Sequence, residues 1–148
     1  MMLIPPQKLD GFSGAKHGSE SSNHVLIEKE DGIYGWGKNN FGQLGGLSGG
    51  WGGGRKIQSV EACPSLSIGC GHTHSIIVYP NGVYGCGENQ YGQLGLEDLG
   101  PKHTLTLLDS LSTRCITAVS CGNAHTLVLT NGGQVLSFGR YVSSPYCM

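Results

Sequence analysis

The sequence is poor in charge and in helix formers. Charged residues are 13% of its 148 residues, about half the usual share of about 25%. Nine Lys+Arg stand against ten Asp+Glu, and the formal net charge is −1. The basic residues do not cluster, so the basic patch of a nucleic-acid binder is missing and no direct nucleic-acid binding is expected. Four Ala and six Glu are too few for a helical bundle, because both rank among the better helix formers. No apolar run approaches the ~20 residues of a membrane helix, so no membrane span is expected. The opening Met1-Met2-Leu3-Ile4-Pro5-Pro6 is too short and too interrupted by proline for a secretory signal. Asn-x-Ser/Thr is absent and the six Cys include no Cys-x2-Cys pair. Reduced thiols in a cytoplasmic or nuclear protein are the expectation.

Glycine is in excess: 26 residues, where about 7% is usual. Much of the excess belongs to a repeat. Ile33-Tyr34-Gly35-Trp36-Gly37-Lys38-Asn39-Asn40-Phe41-Gly42-Gln43-Leu44-Gly45 recurs 50 residues on as Val83-Tyr84-Gly85-Cys86-Gly87-Glu88-Asn89-Gln90-Tyr91-Gly92-Gln93-Leu94-Gly95. Gly71, His74 and Ser75 recur at an offset of 51 as Gly122, His125 and Thr126. His24 and His74 each stand nine residues before that string; His125 stands ten before Val135, because Gly132-Gly133 adds one residue. The unit is therefore about 50 residues, with two clear copies and a partial one.

Each copy reads as short strands with turn punctuation. Ser75–Tyr79 is β-branched, Pro80-Asn81-Gly82 follows with Asn-Gly as a hairpin signal through positive φ at both residues, and Val83–Gly87 returns. Thr126–Thr130 with Val135–Phe138, and Val25–Lys29 with Ile33-Tyr34, repeat the pattern. Further strands are expected over 65–69 and 115–120, and a weaker fourth strand over 57–60. Four short strands in about 50 residues is the size of one propeller blade.

Two strings carry a family resemblance. Cys121-Gly122-Asn123-Ala124-His125-Thr126-Leu127-Val128-Leu129-Thr130 and the run Val83 to Gly95 together resemble the regulator of chromosome condensation repeat. The resemblance implies an all-β fold of propeller blades, each of four short antiparallel strands. A full ring of seven such units takes roughly 350 residues, so an incomplete, open array is expected here. The expected organisation is a partly irregular N-terminal segment over 1–23, repeats over 24–139, and a divergent tail over 140–148. That tail lacks the Asn-x-x-Gly-Gln-Leu-Gly string. An unclosed array exposes strand edges and apolar faces, so self-association or pairing with further blades is expected.

Residues present in every copy serve what every copy shares, which is packing. His24, His74 and His125 are expected to hydrogen-bond within or between blades. Gly37 and Gly87 are expected where the backbone needs close approach or positive φ, Gly42 and Gly92 where a turn opens, and Asn39 and Asn89 in side-chain-to-backbone turn bonds. Motifs that would mean chemistry are weak. Gly32–Lys38 has a phosphate-loop skeleton, but Asn39 follows where Ser/Thr would hold magnesium. Gly46-Leu47-Ser48-Gly49-Gly50 matches a nucleophile elbow but runs into Trp51-Gly52-Gly53-Gly54, which cannot hold the helix such an elbow needs. Cys63, Cys70, His72 and His74 are soft metal ligands, and the alternation of the last three suggests one strand face, yet the spacing fits no common zinc module. No catalytic residue, cofactor or metal is expected.

Function in a repeat scaffold sits where the copies differ. The segment after Gly-Gln-Leu-Gly differs most, and Trp51 with Arg55 and Lys56, in a glycine-rich loop, are the candidate protein contacts. The expected function is a non-enzymatic protein-binding module. The resemblance also implies guanine-nucleotide exchange on a small GTPase, although no residue here matches the wedge such a factor uses. It suggests chromatin binding as well, but that would want a basic tail or patch, and the first 24 residues hold only Lys8 and Lys16.

Overall fold

The computed structural model describes residues 5–6, 13–46, 51–57, 61 and 63–140, with the backbone alone for 51–53. Eleven strands run in chain order: β1 (His17–Glu20), β2 (His24–Lys29), β3 (Gly32–Gly37), β4 (Trp51–Lys56), β5 (Ser67–Cys70), β6 (His74–Tyr79), β7 (Gly82–Gly87), β8 (Lys102–Leu107), β9 (Ile116–Cys121), β10 (His125–Thr130) and β11 (Val135–Gly139). One 3-10 turn, Asp109–Leu111, follows β8. No α-helix occurs among the described residues, and none of their helices is long and apolar enough to cross a membrane.

The strands form three separate antiparallel sheets with orders β1-β2-β3-β4, β5-β6-β7-β8 and β9-β10-β11. Every neighbour in a sheet is also the neighbour in sequence, so each sheet is a meander. The first strands lie side by side, β1 against β5 and β5 against β9. The sheets therefore fan out from those strands as stacked wedges, and the array is not closed. These are incomplete propeller blades, here called blades one, two and three.

Alternation along the second strand of each blade explains the stacking. A strand sends successive side chains to opposite faces. In β2, His24, Leu26 and Glu28 are buried and Val25, Ile27 and Lys29 are half-buried. All six residues of β6 are buried, because that blade has a neighbour on each side. Leu26, Leu44, Ile68 and Ile77 belong to one apolar cluster between blades one and two. Ile76, Leu94, Leu108 and Val128 belong to a second, between blades two and three. The hydrophobic core is thus not inside any sheet but between sheets.

Three local expectations are corrected. The fourth strand of blade one is 51–56, not 57–60; Ile57 is a buried core residue just past its end, and 58–60 lie outside the described residues. Trp51 is accordingly a strand residue whose backbone pairs opposite Gly37, not a loop residue. The glycines read as a loop signal because their packing role is invisible locally: a side chain at Gly54 would begin 2.0 Å from the Trp36 ring. Third, the β6–β7 hairpin turns within Pro80-Asn81-Gly82, as expected, but not through positive φ. Tyr79 pairs opposite Gly82, so Pro80 and Asn81 form the turn. Neither has positive φ, nor does Gly82; Pro80, with φ locked near −65°, is suited to the first central position. Within the segment 1–23, β1 pairs along β2, from His17 opposite Glu28 to Glu20 opposite Val25.

Candidate protein-binding surfaces

The recurring histidines build the joints between blades. His24 Nε2 lies 2.7 Å from Ser75 Oγ in the next blade, and Ser75 Oγ donates to the Gln43 carbonyl, 2.7 Å back in blade one. His74 Nε2 lies 2.9 Å from Thr126 Oγ1, which donates to the Gln93 carbonyl at 2.7 Å. A hydroxyl has one proton. Since that proton goes to the glutamine carbonyl, the imidazole must donate through Nε2–H. Burial, and the neighbouring His72, bring His24 down to about 4; burial, with His24 and His125 near, brings His74 down to about 4. Both rings are therefore locked donors at neutral pH, with no proton to exchange.

The glutamines are held by their own turns. Asn39 Oδ1 accepts from Leu44 N at 2.9 Å, and Asn89 Oδ1 from Leu94 N at 3.0 Å. Gln43 Oε1 accepts from Phe41 N and Gln93 Oε1 from Tyr91 N, each at 2.9 Å. Gly42 and Gly92 take positive φ inside those turns, as Gly37 and Gly87 do at the ends of β3 and β7. Gly71 makes room for the His74 ring, since a side chain there would begin 2.3 Å from Nδ1. Replacing Ser75 by alanine should leave the His24 donor and the Gln43 carbonyl buried and unpaired. Unfolding in urea is expected to show a loss of about 2–3 kcal/mol; a loss below about 0.5 kcal/mol would mean that the joint carries no weight.

A second joint has no counterpart in the other copies. The Glu28 carboxylate, buried, accepts from Ser65 N at 2.8 Å and Ser65 Oγ at 2.7 Å, and His17 Nε2 lies 2.5 Å from it. Ser65, His17 and Glu28 suggest a nucleophile triad by type. The geometry differs, because a triad needs the acid on one ring nitrogen and the serine on the other. Here both partners sit at Nε2, and the serine hydroxyl gives its proton to the glutamate. Sequence reading missed this cluster because Glu28 and Ser65 are 37 residues apart.

The soft-ligand residues do not converge. β5 ends at Cys70 and β6 begins at His74, so His72 lies in the turn and the alternation onto one strand face fails. Cys70 and Cys63 belong with the first apolar cluster, His72 is exposed, and His74 is buried toward blade three. Among the described residues no group of three His, Cys, Asp or Glu could hold a metal. Burial pushes the thiols of Cys70 and Cys121 up to about 12 and that of Cys86 up as well. They are thiols, not nucleophilic thiolates, at neutral pH. Gly32–Gly37 is strand β3, not a loop opening a helix, so it cannot cradle a phosphate. Of the elbow-like string only Gly46 is among the described residues.

What remains exposed are the two open faces, the strand edges and the turn tips. On blade three, Leu127 and Leu129 are 38% exposed and Val135 is 63% exposed. Blade one carries Tyr34 and Trp36, tilted and 6.4 Å apart between centroids, with the Lys29 amine 4.8 Å over the Tyr34 ring. This aromatic group escaped the sequence reading because its equivalent in blade two, Tyr84 and Cys86, is taken up in packing, and only the stack tells which copy is terminal. Arg55 and Lys56 are exposed on β4, and Lys56 Nζ lies 3.8 Å from Asp31. Phe41 and Tyr91 are exposed at the tips of equivalent turns.

Stacked meanders of three and four strands, joined by a repeated His–hydroxyl–Gln relay, define a propeller-repeat protein. Two family models of the regulator of chromosome condensation (RCC1) repeat match this chain, over residues 66–93 and 81–129. It is 37% identical over 121 residues to the human probable E3 ubiquitin-protein ligase HERC3, and 34% over 123 residues to rat HERC4. Each match takes in 78% of this chain and 11% of the relative. The chain thus spans about a tenth of those proteins. Among solved structures it resembles Kap60 bound to yeast RCC1 (Prp20), with a TM-score of 0.77 at 18% identity over 90% of this chain and 36% of that one. Human WBSCR16 gives a TM-score of 0.72 at 22% identity, over 80% and 32%. Saccharomyces cerevisiae Prp20p, whose structure was determined together with its binding properties to Gsp1p and histones, gives 0.73 at 20% identity, over 87% and 34%. At these identities the solved structures bear on the fold alone.

Proposed function

We propose that this chain is a non-enzymatic, protein-binding section of an RCC1-type propeller. One observation carries the reading: wherever two blades meet, the recurring polar side chains are spent on holding them together, through His24 to Ser75 and His74 to Thr126. What is left for partners is surface. The edge strand β4, with Trp51, Arg55 and Lys56, is the proposed protein contact, because its sequence differs most from the equivalent β8 and its two cations are exposed. Trp and Arg are the residue types enriched where binding energy concentrates.

The ligase names of the relatives describe whole proteins about nine times longer than the matched segment. Guanine-nucleotide exchange is the second reading, supported by the Gsp1p binding of the structural neighbour Prp20p. The two separate in one experiment. The full chain is added to small GTPases loaded with fluorescent GDP. Binding without faster GDP release is the expected result, and the Arg55→Glu/Lys56→Glu variant should bind at least about tenfold more weakly at an unchanged melting temperature. Accelerated release would replace this reading with exchange; unweakened binding by the variant would move the contact off β4.

A further inference from the structure

The joint between blades one and two opens into a cavity beside the β2–β3 turn. Glu28, Glu30, Asp31 and Glu61 line it, together with Tyr79 and the buried Ile33 and Ile57. Lys16 and Lys29 reach it as well, Lys16 Nζ 3.6 Å from Glu30 and the Lys29 amine over the Tyr34 ring. The corresponding places in the next joint hold Val78 for Glu28, Pro80 for Glu30, Asn81 for Asp31 and Thr130 for Tyr79. The acidic lining is therefore particular to this joint and is not a repeat position. Tyr79 is 5% exposed, yet its hydroxyl makes no hydrogen bond to any described residue. Its neighbour Tyr84, edge-on at 5.8 Å between centroids, gives its own hydroxyl to Glu61 at 2.7 Å. Burial, with Glu28, Cys63 and Glu61 near, pushes Tyr79 up to about 12, so the phenol is protonated at neutral pH. A buried polar group without a partner is costly and rare, and this one borders a cavity from which a ligand can supply the partner.

We infer that this cavity receives the guanidinium of an arginine projected by a protein partner. Four carboxylate side chains against two amines favour a cation. The volume is about 230 Å³, below the about 300–1,000 Å³ of sites that hold whole small molecules, so a single side chain is the fitting occupant. Arginine matches the lining best. It brings five N–H donors and no acceptor, and its planar head stacks on aromatic rings. The Tyr79 oxygen and the carboxylates accept, while Ile33 and Ile57 give its aliphatic stem an apolar wall. The inference rests on the reading of the chain as a protein-binding section, and adds to the β4 contact a pocket of defined chemistry.

An NMR titration of the full chain with the peptide Gly-Gly-Arg-Gly-Gly, blocked at both ends, tests it. Saturable shifts are expected at the amides of Asp31, Glu61 and Tyr79. The citrulline analogue keeps the shape and loses the charge, and should bind at least about tenfold more weakly. Tyr79→Phe removes only the hydroxyl that is unpaired in the free chain. It should weaken the arginine peptide about fivefold and leave the melting temperature where it is. A merely structural hydroxyl would do the reverse, lowering the melting temperature with binding unchanged. If Tyr79→Phe melts early, Glu61→Gln decides, since glutamine still accepts from Tyr84 but carries no charge; it too should weaken the peptide. No saturable shift at these amides, a citrulline peptide that binds as well, or undiminished binding by the folded variant would each overturn the inference. Neither arm uses a GTPase or a β4 variant, so failure here leaves the GDP-release and Arg55/Lys56 results standing.

Discussion

Acidification from pH 6.5 to about 4 is expected to strip this fold of about 6 kcal/mol, about 3 kcal/mol for each of two histidines. His24 and His74 are buried as neutral donors, and burial brings both from 6.5 down to about 4. In the unfolded chain both titrate near 6.5. Below that value the unfolded state takes up two protons that the folded state refuses, so stability falls as pH falls. The loss stops near 4, where the folded rings protonate as well. The stabilisation is therefore fully present above 6.5 and gone below about 4. Urea midpoints measured at intervals across this window should fall with a slope approaching about 2.7 kcal/mol per pH unit. A flat profile between pH 6.5 and 5 would show that the rings are not held neutral by the fold. His74→Asn should roughly halve the slope, whatever it costs in stability at neutral pH, because only one buried imidazole then remains.

Gly87→Ala is expected to cost about 3–5 kcal/mol, a large share of the about 5–15 kcal/mol that holds an ordinary domain folded. Two penalties coincide at this position. Its φ is +105°, where a side chain strains the backbone. A Cβ would also begin 2.3 Å from the Thr73 carbonyl oxygen and 2.7 Å from His74 Cα. Both are main chain at the start of β6, so nothing can swing aside without breaking the pairing of His74 with Gly87. Gly133→Ala is the control. It has φ +83° but open space around it, with nothing within 4 Å of an added Cβ. It should cost only about 1 kcal/mol, the strain alone. Thermal melts of the two variants should differ widely; equal shifts would mean that strain accounts for both and that the close approach of β7 to β6 is unimportant.

Much of the architecture was legible because it is periodic. The recurrence of Val83–Gly95 on Ile33–Gly45 sets the blade size, and the β-branched runs at 75–79 and 126–130 sit where β6 and β10 form. The misread pieces share a cause. Trp51–Lys56 is full of glycine, and glycine in isolation signals a turn; its strand exists because Trp36 needs the space that a side chain at Gly54 would take. Pro80-Asn81-Gly82 turns where its residue types place it, yet the register puts Gly82 inside the ladder opposite Tyr79, and Pro80 and Asn81 make the turn without positive φ. The Glu28–His17–Ser65 cluster bridges blades through residues far apart in the chain, and no local pattern announces it.

By itself the sequence determined the repeat: its length, its strands, and which polar residues return in each copy, since strand period and turn chemistry are local. Only the tertiary structure decided what those residues do. A histidine becomes a neutral donor, or an exposed one, according to whether another blade lies against it, and that is a property of the stack: His24 and His74 are sealed, while the same residue type at 125 faces outward. Burial and partner geometry are set by contacts about 50 residues apart, and no stretch of sequence shorter than two blades contains them.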